Sequence, residues 1–96
     1  MTGHSHEYYE ELQARARTLL KAVSPQLLPQ TVELASEMIE ANECGVAVET
    51  ISEMLAEAGA PISHDVLMQA AGLVNLMGLD DVNVKRLQPL VPGERP

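Results

Sequence analysis

The feature that most constrains this chain is the spacing at which proline and glycine cut it. Pro25 and Pro29, Gly45, the run Gly59-Ala60-Pro61 and Gly78 divide it into segments of about one helix each. Proline lacks the N–H a helix needs and disfavours helical geometry in the residue before it. Glycine offers the permissive backbone that closes a helix or reverses a chain. Between these breaks the apolar residues recur with helical period, and no strand-like alternation survives. The expected fold is all-α: a compact antiparallel bundle of four helices at about 5–23, 30–43, 46–58 and 64–78, with a short fifth helix over 80–88 as the natural addition.

Each segment has a face to bury. In the first, Tyr9, Leu12, Ala16, Leu19, Leu20 and Val23 fall on one side, with Ser5 as the expected N-cap and Glu7 in the first turn. In the second, Val32, Ala35, Met38, Ile39 and Asn42 are expected to face inward. Gly45 is then expected to cap this helix and turn the chain, so that the second and third helices form a hairpin. The fourth begins at "PISHDV", where Ser63 is a good N-cap, Asp65 sits in the first turn, and Ile62 with Leu67 can form a hydrophobic staple.

No charged residue occurs from Val66 to Leu79. A helix without a charged face is usually central, or covered by something else. Two covers compete for its outward residues Met68, Gly72, Asn75 and Leu76. One is the segment "DDVNVKRLQPL" folding back as the fifth helix; the other is a second copy of the chain in a homodimer. The proline-rich close, "PLVPGERP", is expected to fray, leaving one domain over 1–88 and a tail over 89–96.

At 96 residues the chain has room for one modest core. With aromatics at 2% and neither Trp nor Phe, that core must be built from Leu, Val, Ile, Met and Ala. The net charge of −8 narrows the choice of partner. Nucleic-acid binding needs clustered Lys and Arg to release counterions from phosphates. Here no basic run exceeds Lys85-Arg86, so nucleic acid and anionic membrane are both disfavoured, and a basic protein would be attracted. A single cysteine and an opening "MTGHSHEYYE" without a signal-peptide plan lead to the expectation of a cytoplasmic protein.

The acidic residues are ordered along the helices. Glu33, Glu37 and Glu40 share one outer face of the second helix, and Glu49 and Glu53, with Glu57 nearby, share one on the third. Glu43 lies in the turn between them. Like charges at i, i+4 cost roughly 0.2–0.5 kcal/mol per pair. Mixed Glu and Lys would serve solubility without that cost, yet there is no Lys or Arg from Ala22 to Asn83. Charge runs are most often solvated faces; the alternative is a docking surface for a basic partner, formed by these seven glutamates.

Other reactive groups have ordinary explanations. Cys44 precedes a helix start, but nearby glutamates disfavour its thiolate and its helical phase points to the core. His4 and His6 would hold a metal only with further ligands, which the sequence does not space to join them. His64 and Asp65 are neighbours on a helix, about 100° apart, and form no dyad. There is no phosphate loop, nucleophile elbow or zinc spacing. We therefore assign no catalytic residue, no metal and no cofactor, and expect a non-enzymatic protein.

The stretch "ECGVAVETISEMLAEAGAPISHDVLMQAAGLVNLMGLD" resembles the motif-bearing half of the MafI-type immunity proteins, small helical antidotes of bacterial toxin systems. Their pattern runs acidic residue, any residue, Gly, then aliphatic-Ala-aliphatic-Glu; Glu43, Gly45, Val46, Ala47, Val48 and Glu49 fit it. Leu55, Ala56 and Glu57 match a Leu-x-Glu helix end, Pro61, Ile62 and Ser63 a proline or isoleucine before a cap, and Met77, Gly78 and Leu79 a closing Met-Gly-Leu. The resemblance covers roughly Thr31 to Asp80. Cys44 stands where an aromatic is common, and Ala41-Asn42 replaces another dipeptide. The resemblance implies a protein that neutralises a cognate secreted toxin, commonly a nuclease, whose phosphate-binding cleft would be basic.

Two other small acidic helical families do not fit. Acyl carrier proteins need a serine in an Asp-Ser-Leu context, which Ser24, Ser36, Ser52 and Ser63 lack. Secreted helical hairpins with a Trp-x-Gly turn need the tryptophan that "ECG" does not supply. The remaining alternative is a regulatory or scaffolding module, paired through the uncharged fourth helix.

Overall fold

The computed structural model of the chain describes residues 6–93, and its fold is an all-α helical bundle. Five helices follow one another: α1 (His6–Val23), α2 (Pro29–Glu40), α3 (Cys44–Ala58), α4 (His64–Leu76) and α5 (Val82–Leu87). Short 3-10 turns at Ser24–Gln26 and Gln88–Leu90 extend the ends of α1 and α5. Ser5, expected to cap α1, and His4 lie outside the described residues, as do residues 94–96.

Local rules account for most boundaries. Pro25 falls within the 3-10 turn that ends α1, and Pro29 occupies the first position of α2, where its missing N–H costs nothing. At the start of α4, Ser63 Oγ accepts a hydrogen bond from the Val66 N–H at 3.1 Å. Ile62 and Leu67, the staple pair, are both buried.

Three helices stop in the same way. Asn42, Gly59 and Gly78 adopt left-handed backbone, with φ of 65°, 61° and 70°. Beyond each, an N–H reaches back to an orphan carbonyl: Glu43 to Met38 at 2.8 Å, Ala60 to Leu55 at 3.1 Å and Leu79 to Val74 at 3.1 Å. This is the Schellman closure. The first of the three corrects two expectations. Asn42, not Gly45, takes the left-handed turn, so α2 ends at Glu40, and Asn42 is exposed rather than inward-facing. Gly45 lies in the first turn of α3, where an added Cβ would meet Leu79 Cδ1 at an ordinary 3.5 Å.

The helices form two layers, α2–α3–α5 over α1–α4, giving principal extents of 44 × 30 × 17 Å. Helix α3 is the hub and packs against all four others. Its wide buried arc explains this: Cys44, Ala47, Val48, Ile51, Ser52 and Leu55 are all enclosed. Helices α2 and α3 are antiparallel, since Thr31 near the start of α2 shares a depression with Met54 and Glu57 late in α3. Helices α3 and α5 run parallel: Leu79, ahead of α5, approaches Gly45, and Arg86 near its end approaches Glu53.

Helix α4, without a charge beyond Asp65, is therefore not central, and α5 packs more on α3 than on α4. The main cover of α4 is α1. Tyr8 donates its hydroxyl hydrogen to the Leu76 carbonyl at 3.1 Å, and Arg15 lies over Gly72. Nor does the chain fray from residue 89. The Ile62 N–H bonds to the Leu90 carbonyl at 3.1 Å, and Val91 is only 3% exposed, joining the core.

Candidate functional site

The seven glutamates singled out in the sequence are all exposed, but they do not form one even sheet of charge. On α2, Glu33, Glu37 and Glu40 border a shallow trough with Pro29, Val32 and Ser36. Val32 and Ser36 flank the buried Ala35 on the side towards α1, so this stripe leans away from α3. On α3, Glu49 and Glu53 point outward one turn apart. Glu57 sits at the end where α3 meets the start of α2, and Glu43 is the N-cap position of α3, without a side-chain capping bond.

One end of the surface contains its own cation. Arg86 Nη1 of α5 lies 3.8 Å from Glu53 Oε2 and donates to Asn83 Oδ1 at 2.9 Å. Glu53, Ala56, Glu57 and Arg86 line one open hollow. The stretch without Lys or Arg is thus acidic in sequence but partly neutralised in space, by a residue 33 positions from Glu53. Neither α2 nor α3 contains a Lys or Arg of its own, although the positive charge of Arg17 on α1 reaches Cys44 at the start of α3.

Between α2 and α3 runs a groove of mainly uncharged residues that sequence reasoning missed. Leu34 and Val46 are each 46% exposed, and Leu28, just before α2, is 62% exposed. Thr31, Leu34 and Met38 form the α2 edge at helical spacing; Thr50 and Met54 follow Val46 along the α3 edge. The two edges meet where the Thr50 hydroxyl approaches Met38 Sδ at 3.7 Å. Leu28, Thr31 and Met54 line a depression of about 210 Å³ at one end. The available signal was helical phase: Leu34 is about 100° from the buried Ala35, beside the acidic face rather than within the core.

The other candidates resolve more plainly. Cys44 is buried and free, and burial pushes its thiol above the ordinary value, an effect opposed by the positive charge of Arg17. Its thiolate is disfavoured, so it is a packed side chain rather than a nucleophile. Among the described residues, no three His, Cys, Asp or Glu side chains gather as a metal site. Asp65 accepts from Gln69 Nε2 at 3.0 Å, one turn along α4. Of the outward α4 residues, Met68 and Asn75 are exposed, whereas Gly72 and Leu76 are half-buried. No helix among the described residues is long and apolar enough to cross a membrane.

The seven carboxylates of this surface are exposed, bordering shallow open depressions rather than an enclosed cavity. No family model matches the chain, and neither does any curated protein or solved structure.

Proposed function

We propose that this chain is an immunity-type protein that binds and neutralises a basic toxin domain, of the nuclease kind, through the outer face of α2 and α3. The observation that carries this reading is the concentration of Glu33, Glu37, Glu40, Glu43, Glu49, Glu53 and Glu57 on one exposed hairpin without a Lys or Arg of its own. Repulsion within such stripes disfavours the free fold slightly, and an oppositely charged partner relieves it. A field of one sign also steers a basic partner into encounter and selects against acidic ones. The resemblance of Glu43–Glu49 and the following segments to the MafI-type immunity proteins supports the same class.

The test first asks whether a neighbouring reading frame encodes a large protein with a toxin-like C-terminal domain, and then uses that domain. The native chain is expected to form a complex with that domain and suppress its toxicity. Changing Glu37, Glu49 and Glu53 together to Lys is expected to preserve the helical circular dichroism and abolish the complex. Survival of the complex in this variant would remove the acidic hairpin as the docking surface.

A regulatory or scaffolding module paired through Met68, Gly72, Asn75 and Leu76 is the second reading, favoured by the 49% exposure of Met68 on a helix without charge beyond Asp65. It is weakened by Arg15 and Tyr8, which already occupy the flank of α4 beside Gly72 and Leu76. Light scattering at micromolar concentration decides it, because a monomer there excludes a stable dimer.

A further inference from the structure

The groove between the acidic stripes has a shape and chemistry more specific than negative charge. Its exposed residues Leu28, Leu34 and Val46 are aliphatic, and Thr31, Thr50 and Met54 fill the intervals without a charge. On the α2 side Glu37 stands nearest to it; on the α3 side stand Glu49 and Glu53, and Glu57 lines the depression at the Leu28 end. Its length is set by α2, whose 12 residues span about 18 Å, or roughly three helical turns.

We propose that this groove receives an amphipathic basic helix of the partner, seated as a third helix against α2 and α3. The proposal rests on the protein-binding reading above and adds the form of what is bound. The seam between two packed helices is grooved, and the side-chain ridges of a third helix fit it. An apolar stripe at i, i+3, i+4 and i+7 would cover Leu28, Leu34 and Val46. Lys or Arg on either side of that stripe would then reach the two acidic banks, as flanking charges do beside a coiled-coil seam. An extended segment has no comparable seat, because the hairpin offers no sheet edge for backbone pairing.

Charge also places the helix on this side of α3 rather than the other. Between α3 and α5, Arg86 already sits 3.8 Å from Glu53, and Lys85 adjoins it. A basic ligand entering there would meet like charge. Over α2 and α3 it meets none from the helices that form the groove.

The probe is a fluorescently labelled synthetic helix of about 15 residues, with leucines at that spacing and Lys and Arg elsewhere. Its control is a scrambled peptide of identical composition. Fluorescence anisotropy at physiological salt is expected to show at least about tenfold tighter binding of the amphipathic peptide. Leu34→Asp combined with Val46→Asp should weaken that binding by about tenfold or more, while circular dichroism stays unchanged because both positions are exposed. Leu28→Asp, outside the helices, provides a second variant with the same expected direction. Arg86→Gln should leave peptide affinity within about twofold. Equal binding of the scrambled peptide, or indifference to the Leu28 and Leu34/Val46 changes, overturns the groove. If the toxin-domain complex still forms with the native chain while the peptide result is negative, the helical ligand alone is lost. If neither binds, the antidote reading falls with it.

Discussion

Helix α3 makes one groove with α2 and another with α5, and the two differ in both direction and chemistry. Against α2 it is antiparallel; the seam exposes Leu34 and Val46 beside glutamates, with Glu57 lining one end. Against α5 it is parallel, and Arg86 closes on Glu53 across the seam. Leu79 and Val82 are also exposed near this second groove, so apolar exposure alone does not separate the two. The difference is the internal cation. A chain with net charge −8 can still hold a cation against its own glutamates on one side, which is why total charge describes attraction better than it describes the contact.

The strongest way to break the comparison is to remove the core beneath both grooves. Leu55 is fully buried on α3, and Leu55→Ala should cost about 2–5 kcal/mol, measured by urea unfolding. Both seams should fail together; a loss below about 1 kcal/mol would mean that α3 is not the hub. A smaller change isolates the α2 side. Asn42→Ala places a Cβ-bearing residue without a polar side chain at φ 65° and should cost about 1–2 kcal/mol. Asn42→Gly should not, and hydrogen exchange should locate the loosening at the α2–α3 turn. If alanine is tolerated as well as glycine, the left-handed turn does not hold that hairpin. The smallest effect belongs to the α5 side: Arg86→Gln should change stability by less than about 1 kcal/mol, because the pair with Glu53 is partly exposed. Its consequence should be electrostatic, read as later elution from an anion exchanger, and a large stability loss would show that the α3–α5 seam depends on the pair.

The sequence carried the local part of this molecule well. The buried face of α1 follows directly from periodicity: Leu12, Ala16, Leu19, Leu20 and Val23 are all enclosed as expected. Ser63 caps α4 as its chemistry requires. Where two residues competed for one role, pattern reading chose wrongly. Asn42 and Gly45 can both enter left-handed backbone, and glycine is the more permissive, but the hydrogen bond from Glu43 to Met38 closes at asparagine. Arg86 beside Glu53, the parallel path of α5 and the burial of Val91 depend on how distant segments meet, which no local period encodes. The candidate site was half legible for that reason. Its acidic banks appear as regular spacing within single helices, while its uncharged floor exists only once two helices lie side by side.

The 17 Å thickness of the molecule has a thermodynamic consequence. In a slab of two helical layers, the side chains that glue the layers together are never far from water. A helix docked over α2 and α3 would add a third layer and shield one broad side. Because that ligand binds the folded chain only, occupancy at a hundred times Kd would raise the free energy of unfolding by about 2.7 kcal/mol. The resistance of this chain to heat or proteolysis would then serve as a gauge of how much partner is present.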